Sequence, residues 1–587
     1  MAFERSDRTA LATAAMGAVA VAAPLVFGAT LASPTARASD DAAVVRVIGL
    51  GATGLFHGLD ALWAAPLLAV PIGSAELRAA LASTLAAGVL AALAFLLARR
   101  ALAVVAPRTP VLAAALCAVA AALATLHFPA RVEAIAVGGA TLGAALALAP
   151  LALVVLGASP PAVAVVLGLA ATYDVPVLLV AAASCGVALA LAGNVRPRAG
   201  VAAAPWALVG LAAPAWELWR MRAAPGVSLD GVSLLAGWLG EGAGGGSAVA
   251  LLRNELGSIA LVLAAVGAFV VLRGRTSRPL GAGLLAAAVS GVAMSSAGAP
   301  AGPERFGGAL LAAFAAVAVL AACGMAAVVD AVSRAKVPFA RASAAMVVLL
   351  EMALPVRVAD DASLACRKLP LASVETWDAL AWGPLPFGAV LLLPSSRPVS
   401  RARASIASGA LRGDVAVVST RQASDRATAR ELSREPRLAP LLRDLALYGA
   451  PEEYSLSQLA AARPVLLAFD ARWDKRFARH MVPAGLFDRY FVEPRGANDR
   501  ARSLAPIDER DVQAIVADRS LSRCTADLLR ARSLAAAAAG EREYTSSAVA
   551  QLYRIEPRDA VGVELLARIA AAHGGVDVRD LAERSTP

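Results

Sequence analysis

Asp40 and Asp41 stand side by side a few residues beyond the first long apolar run, in a stretch that also carries His57, Asp60 and Trp63. That stretch, residues 34–78, closes on Val70-Pro-Ile-Gly-Ser-Ala-Glu-Leu-Arg78. In so apolar a chain, carboxylates at the edge of a hydrophobic segment are the groups best fitted to proton transfer, and an imidazole nearby adds a hydrogen-bond donor. Each has a plainer reading. Two acids at a helix start favour its N-terminal dipole. His57, Asp60 and Trp63 also fit an amphipathic helix at headgroup level, with the tryptophan as anchor.

Arg131 and Glu133 lie two apart at the mouth of a further apolar tract, and Arg220 and Arg222 follow Trp216-Glu-Leu-Trp219 in a long loop. Guanidinium groups match phosphate oxygens bidentately, so these residues are candidates for holding a lipid phosphate. The alternatives are an ion pair between Arg131 and Glu133, and interfacial anchoring by the two tryptophans. Asp174, between Tyr173 and Pro176, is either an ionisable group at membrane depth or part of a short outer turn. In the second half, Asp470, Trp473, Asp474 and Lys475 follow a strand-like run, a usual place for sites in α/β domains. No His/Cys cluster has metal-ligand spacing, and neither a metal nor a cofactor is expected. Cys117, Cys185 and Cys323 sit in apolar runs as packing residues. Cys366 and Cys524 lie beyond those runs, and pairing between them stays open.

The elements that must position these groups are set by hydropathy. The chain has 587 residues, is 59% hydrophobic and has a mean hydropathy of +0.66, well outside the range of soluble domains. Apolar runs of 17 to 25 residues recur to about residue 356 and predict a polytopic transmembrane helix bundle of about eleven spans. The first run ends near Ser33; the others are read at 77–98, 109–126, 132–156, 161–173, 176–193, 201–217, 256–272, 279–297, 306–329 and 342–356. Thr35-Ala-Arg-Ala38 resembles a signal-peptidase site, but the run before it exceeds the ~7–15 residues of a signal core, which favours an uncleaved first helix. Basic pairs such as Arg99-Arg100, and Arg273, Arg275 and Arg278, cluster at helix ends on one side. By the positive-inside rule the N-terminus is cytoplasmic and, with an odd number of spans, the tail is extracytoplasmic. The net charge of +10 does not imply nucleic acid, because the basic residues are dispersed and form no face interleaved with aromatics.

Three domains are expected: a membrane domain over 1–356, an α/β domain over 357–500 and a helical tail over 501–587. Gly388–Pro394, Asp414–Thr420 and Pro464–Asp470 are short apolar runs separated by charged, helix-forming stretches, the alternation of a small α/β sheet. From about Asp508 the pattern is helical, and Leu534–Asp559 suggests one tetratricopeptide-type helix pair.

Several stretches, in order, resemble the bacterial DUF2723 family of multi-span proteins, which is related to protein O-mannosyltransferases and the GT-C glycosyltransferases. They are Val70–Arg100, Phe128-Pro-Ala-Arg-Val-Glu133, Gly168–Pro176, Leu385–Leu393 with Leu411–Val418, and Pro483–Arg489. The resemblance touches about the first 490 residues. It departs at the family's Gly-Gly-Asp-Ser-Gly-Glu and His-Pro-Pro-Gly-Tyr-Pro motifs, where this chain reads Ala38-Ser-Asp-Asp-Ala-Ala-Val-Val45 and His57-Gly-Leu-Asp-Ala-Leu-Trp63.

The resemblance implies a GT-C-like enzyme of the bacterial inner membrane that moves a sugar from a polyprenyl-phosphate donor to an extracytoplasmic protein or glycan acceptor. An acceptor hydroxyl is a poor nucleophile, and Asp40 or Asp41 would serve as its general base. His57 would contact the phosphate or orient the acceptor, supported by Asp60. Arg131, Glu133, Arg220 and Arg222 would bind donor phosphate and substrate. The other reading is a catalytically silent member acting as a membrane scaffold through its exported C-terminal part.

Overall fold

The computed structural model describes residues 2–49, 58–105, 110–192, 202–212, 241–242, 247–297, 299–300, 306–334, 353, 355–360, 371–421, 423, 435–571 and 576–581. His57, Arg220, Arg222, Cys366 and almost all of the span expected at 342–356 lie outside the described residues. The fold is mostly helical, with a five-stranded sheet and a two-residue parallel pairing of Glu241–Gly242 with Ala299–Pro300, and its described residues fall into two compact units. One contains residues 2–34 and the apolar helices from Gly58 to Arg334. The other contains residues 35–49 and 371–581. The second unit thus takes in the stretch that holds Asp40 and Asp41, and it continues without a division at 500.

Among the described residues, six helices of the first unit are long and apolar enough to cross a membrane: Ala10–Leu31, Ala75–Val105, Val175–Ala192, Ala248–Arg273, Arg278–Ser296 and Gly308–Arg334. A seventh is counted if Pro110–Thr125 and Phe128–Ala134, bent by 70°, form one broken span. The tract read as one span over 132–156 is two helices, Phe128–Ala134 and Thr141–Val155. Thr141–Val155 and Pro160–Tyr173 have 15 and 14 residues, short of the ~20 that a straight span needs. Gly308–Arg334 is the innermost helix, with 89% of its apolar window buried. Its neighbour Ser247–Arg273 approaches through two glycines. A Cβ on Gly267 would lie 1.9 Å from the Leu320 carbonyl, and one on Gly324 would lie 1.9 Å from that of Leu263. Such backbone-to-backbone packing is how helices associate where lipid leaves no hydrophobic drive between them. On the outer helices Leu11, Val19, Ile259, Val262, Phe269 and Val289 are exposed, a surface suited to lipid rather than water.

The second unit has a five-stranded sheet: β1 (Val390–Leu393), β2 (Ala416–Ser419), β3 (Val465–Leu467), β4 (Met481–Ala484) and β5 (Phe487–Tyr490). The order is β2-β1-β3-β5-β4; β1 is parallel to β2 and β3, and the β4–β5 hairpin is antiparallel at one edge. Val390 and Leu392 belong to one core and Leu391 and Leu393 to another, so β1 is buried on both faces and reads as an unbroken apolar run. Ser396–Ser408 joins β1 to β2 and packs in the second core; Ala439–Tyr448 and Glu453–Ala462 lie between β2 and β3 and pack in the first. Helix Arg519–Ala539 contributes to both cores and is therefore part of this unit's body.

Candidate functional site

The first unit's polar groups gather at its broken span. Pro129 sits in the first turn of Phe128–Ala134 and has no N–H to give to the preceding helix, so the chain starts a new helix there. His127 is the N-cap: its Nδ1 accepts from Ala130 N at 3.3 Å, which leaves the proton on Nε2. The ring is fully buried, stacks on Phe314 at 4.0 Å, and its Nε2 has no hydrogen-bond partner among the described residues. Arg131 is buried one turn on, with its guanidinium 4.4 Å from the centre of the Phe27 ring.

Glu133 lies in the last turn of this short helix and holds the next break closed. Its Oε2 accepts from Ala140 N at 2.9 Å and its Oε1 from Phe306 N at 2.7 Å, just before the innermost helix begins. Gly138 takes a positive φ of 59°, and a Cβ on Gly139 would fall 1.8 Å from the Glu133 carbonyl oxygen. From Ala75–Val105, Ser83 Oγ accepts from Gly139 N at 2.9 Å, Ser83 O accepts from Thr141 Oγ1 at 2.8 Å, and Thr84 Oγ1 donates to Ala134 O at 2.8 Å. Backbone that leaves the helix at membrane depth must be satisfied in this way by protein groups. Glu133 therefore has a backbone-bonding role that the ion-pair reading did not contain. Asp60 is buried on Gly58–Leu68. Asp174 Oδ1 accepts from Val177 N at 2.6 Å and so caps the following helix.

Asp40 and Asp41 belong to the second unit. Asp40 is buried against Arg37, 3.3 Å away. Asp41 opens helix Asp41–Val47, which packs on Ser396–Ser408. Its Oδ1 accepts from Arg401 Nη1 at 2.8 Å, while Arg401 Nη2 lies 2.7 Å from both oxygens of Asp378. One cation thus serves two carboxylates, Asp41 buried and Asp378 half-buried. Burial pushes Asp41 up to about 7 against the pull of Arg401, and burial also raises Asp378.

The residues named from sequence are thus divided: Asp60, Arg131 and Glu133 are in the first unit, Asp40 and Asp41 in the second. His127 and Arg401 escaped the sequence reading. A histidine directly before Phe-Pro inside an apolar tract was the available signal for the first. Nothing local marks Arg401 among the arginines of its helix. Among the described residues no group of three or more His, Cys, Asp or Glu could hold a metal ion. The sequence matches no family model and no curated protein.

Proposed function

We propose that this chain is a GT-C-like membrane glycosyltransferase, of the kind the DUF2723 resemblance implies. It takes a sugar from a polyprenyl-phosphate donor and transfers it to an extracytoplasmic protein or glycan. It resides in the bacterial inner membrane, with the N-terminus cytoplasmic, about eleven spans, and the second unit outside. The observation that carries this reading is the broken span, where His127 and Arg131 are buried beside helix ends in the apolar unit. Ionisable groups at discontinuous helices in a membrane mark functional sites by default. Arg131 supplies the cation for the donor phosphate. The resemblance makes Asp40 or Asp41 the base, and burial raises the Asp41 carboxyl to about 7, the proton affinity that a base needs near neutrality.

The scaffold reading has its own support. The pairing of Asp41 with Arg401 is what a structural tie requires, and the helical end of the second unit suits contact with a protein partner. The test is transfer of labelled sugar from polyprenyl-phosphate donors in membranes holding the wild type, Arg131→Gln or Asp41→Asn. The enzyme reading expects transfer in the wild type and at least a tenfold loss in Arg131→Gln. Loss in Asp41→Asn as well identifies the base. No transfer by correctly inserted wild type, over a broad donor set, selects the scaffold.

A further inference from the structure

A solvent-open crevice of about 220 Å³ lies in the second unit between the start of helix Glu453–Ala462 and the 3-10 turn Lys475–His480, which leads from β3 into β4. Tyr490 of β5 ties the two walls together. Its hydroxyl is 3.2 Å from Ser457 Oγ of the helix, and its ring stacks on that of His480 with 5.4 Å between centroids. Glu452 is the N-cap of the helix and Glu453 its first residue; Asp474 is the N-cap of the turn and His480 its last residue.

His480 is only 7% exposed. Its Nδ1 lies 3.0 Å from Phe491 O, and a carbonyl only accepts, so Nδ1 carries the proton and Nε2 is an acceptor. Among the described residues no group bonds to Nε2, which is left to the crevice that the ring lines. On the facing wall Glu452 and Glu453 are exposed, and neither carboxylate has a hydrogen bond or ion pair among the described residues. Arg476, the cation of the lining, is turned to Asp474, which accepts from its N, Nε and Nη2. Acids at a helix start are ordinary. The helix dipole does not account for a buried imidazole acceptor left open beside them.

The unspent groups are therefore all acceptors, two of them charged. An anion would meet both carboxylates. No group of three or more His, Cys, Asp or Glu among the described residues could hold a metal ion. A guanidinium is a planar fork suited to one carboxylate, whereas an ammonium has three donors and can divide them between carboxylates and an imidazole on separate elements. Pro451 and Phe477 complete the lining and offer apolar surface to a methylene stem.

We infer that this crevice binds an alkylammonium group, with Glu452, Glu453 and His480 Nε2 accepting from its three N–H donors. A lysine side chain of a peptide and a free aliphatic amine share this chemistry. The site stands on the geometry of the second unit and not on the reading of the broken span.

The experiment is saturation-transfer NMR on the full chain in detergent, with Nα-acetyl-lysine methylamide and 1,5-diaminopentane as the two amine probes. The controls are the lysine probe acetylated on Nζ, which keeps the shape and loses the charge, and Nα-acetyl-arginine methylamide. The expected result is saturable binding of at least one amine, at least tenfold weaker for the acetylated control. Tighter binding of the lysine probe assigns the site to a peptide, and tighter binding of the diamine assigns it to a free amine. The double variant Glu452→Gln with Glu453→Gln changes only exposed side chains and should weaken binding at least fivefold with unchanged thermal melting. His480→Asn can still donate to Phe491 O but has no atom in the place of Nε2, and should weaken binding at least threefold. No saturable amine binding in the wild type overturns the inference. So does equal binding of the acetylated control, binding indifferent to the double variant, or tighter binding of the arginine probe than of either amine.

Discussion

Arg401 reaches across 360 positions of sequence to Asp41, with Nη1 2.8 Å from Oδ1, and the same guanidinium holds Asp378 through Nη2. All three side chains are largely buried. Removing the shared cation would strand two carboxylates away from water, the costly way to break a buried pair, at about 3–5 kcal/mol. Arg401→Met is therefore expected to lower the denaturation midpoint of the second unit sharply. Arg401→Lys should recover little, because a single ammonium cannot match a fork aimed at two carboxylates. Chemical denaturation followed by the fluorescence of the buried Trp377, which lies near the guanidinium, reads this out. A midpoint unchanged in Arg401→Met would overturn the account.

The same triad sets a pH dependence with a definite sign. Burial raises Asp41 from an ordinary value near 4 to about 7, so the folded state holds that proton more tightly than the unfolded state does. Its contribution to stability is complete below pH ~4 and is lost as pH rises through about 7. At about 1.4 kcal/mol per pH unit, the upper bound is about 4 kcal/mol. The second unit should therefore melt at a lower temperature at pH 8 than at pH 5.5, and Asp41→Asn should flatten that slope. A slope of the opposite sign, or one untouched by Asp41→Asn, would contradict the assignment.

The sheet was legible and the triad was not, for a common reason. The strand runs at 388–394 and 464–470 announce β1 and β3 because burial leaves only apolar residues between turn formers, and the edge strand β2 shows as the shorter apolar run Val415–Val418 within 414–420. The β4–β5 hairpin was missed. Its strands carry Pro483, Asp488 and Arg489, and Asp488 is buried only because Arg532 meets it at 2.9 Å from a distant helix. Asp41 likewise depends on a partner far along the chain, which local pattern cannot reveal. In the first unit, Tyr173-Asp174-Val-Pro176 marked a real helix boundary. The break after Glu133 lay hidden in an apolar tract, since hydropathy is blind to Gly138-Gly139 as a place where backbone crosses backbone.

Gly139→Ala tests that crossing. The added methyl would sit 1.8 Å from the Glu133 carbonyl oxygen, with only backbone to displace. The expected outcome is a loss of folded, monodisperse protein in detergent and a melting temperature lower by several degrees. Gly186→Ala is the matched control, because nothing lies within 4 Å of its Cβ position. In a helix interior that change should be neutral or stabilising by up to about 1 kcal/mol. Equal behaviour of the two variants would remove Gly139 from the explanation of the break.

Glu133 and Arg131, two residues apart, should separate fold from function. Glu133→Gln keeps one acceptor oxygen but turns an amide NH2 toward either Ala140 N or Phe306 N, leaving one buried donor unpaired at about 1–3 kcal/mol. Glu133→Ala strands both donors and should cost about twice as much. The melting temperature should therefore fall in the order wild type, Gln, Ala, with transfer activity per folded molecule retained in Glu133→Gln at a temperature well below its transition. Arg131→Gln should show the reverse pattern, with a melting shift smaller than that of Glu133→Ala and transfer reduced at least tenfold. Parallel loss of stability and activity in both residues would mean that the broken span is held together as one structural unit, and that Arg131 has no separate task there.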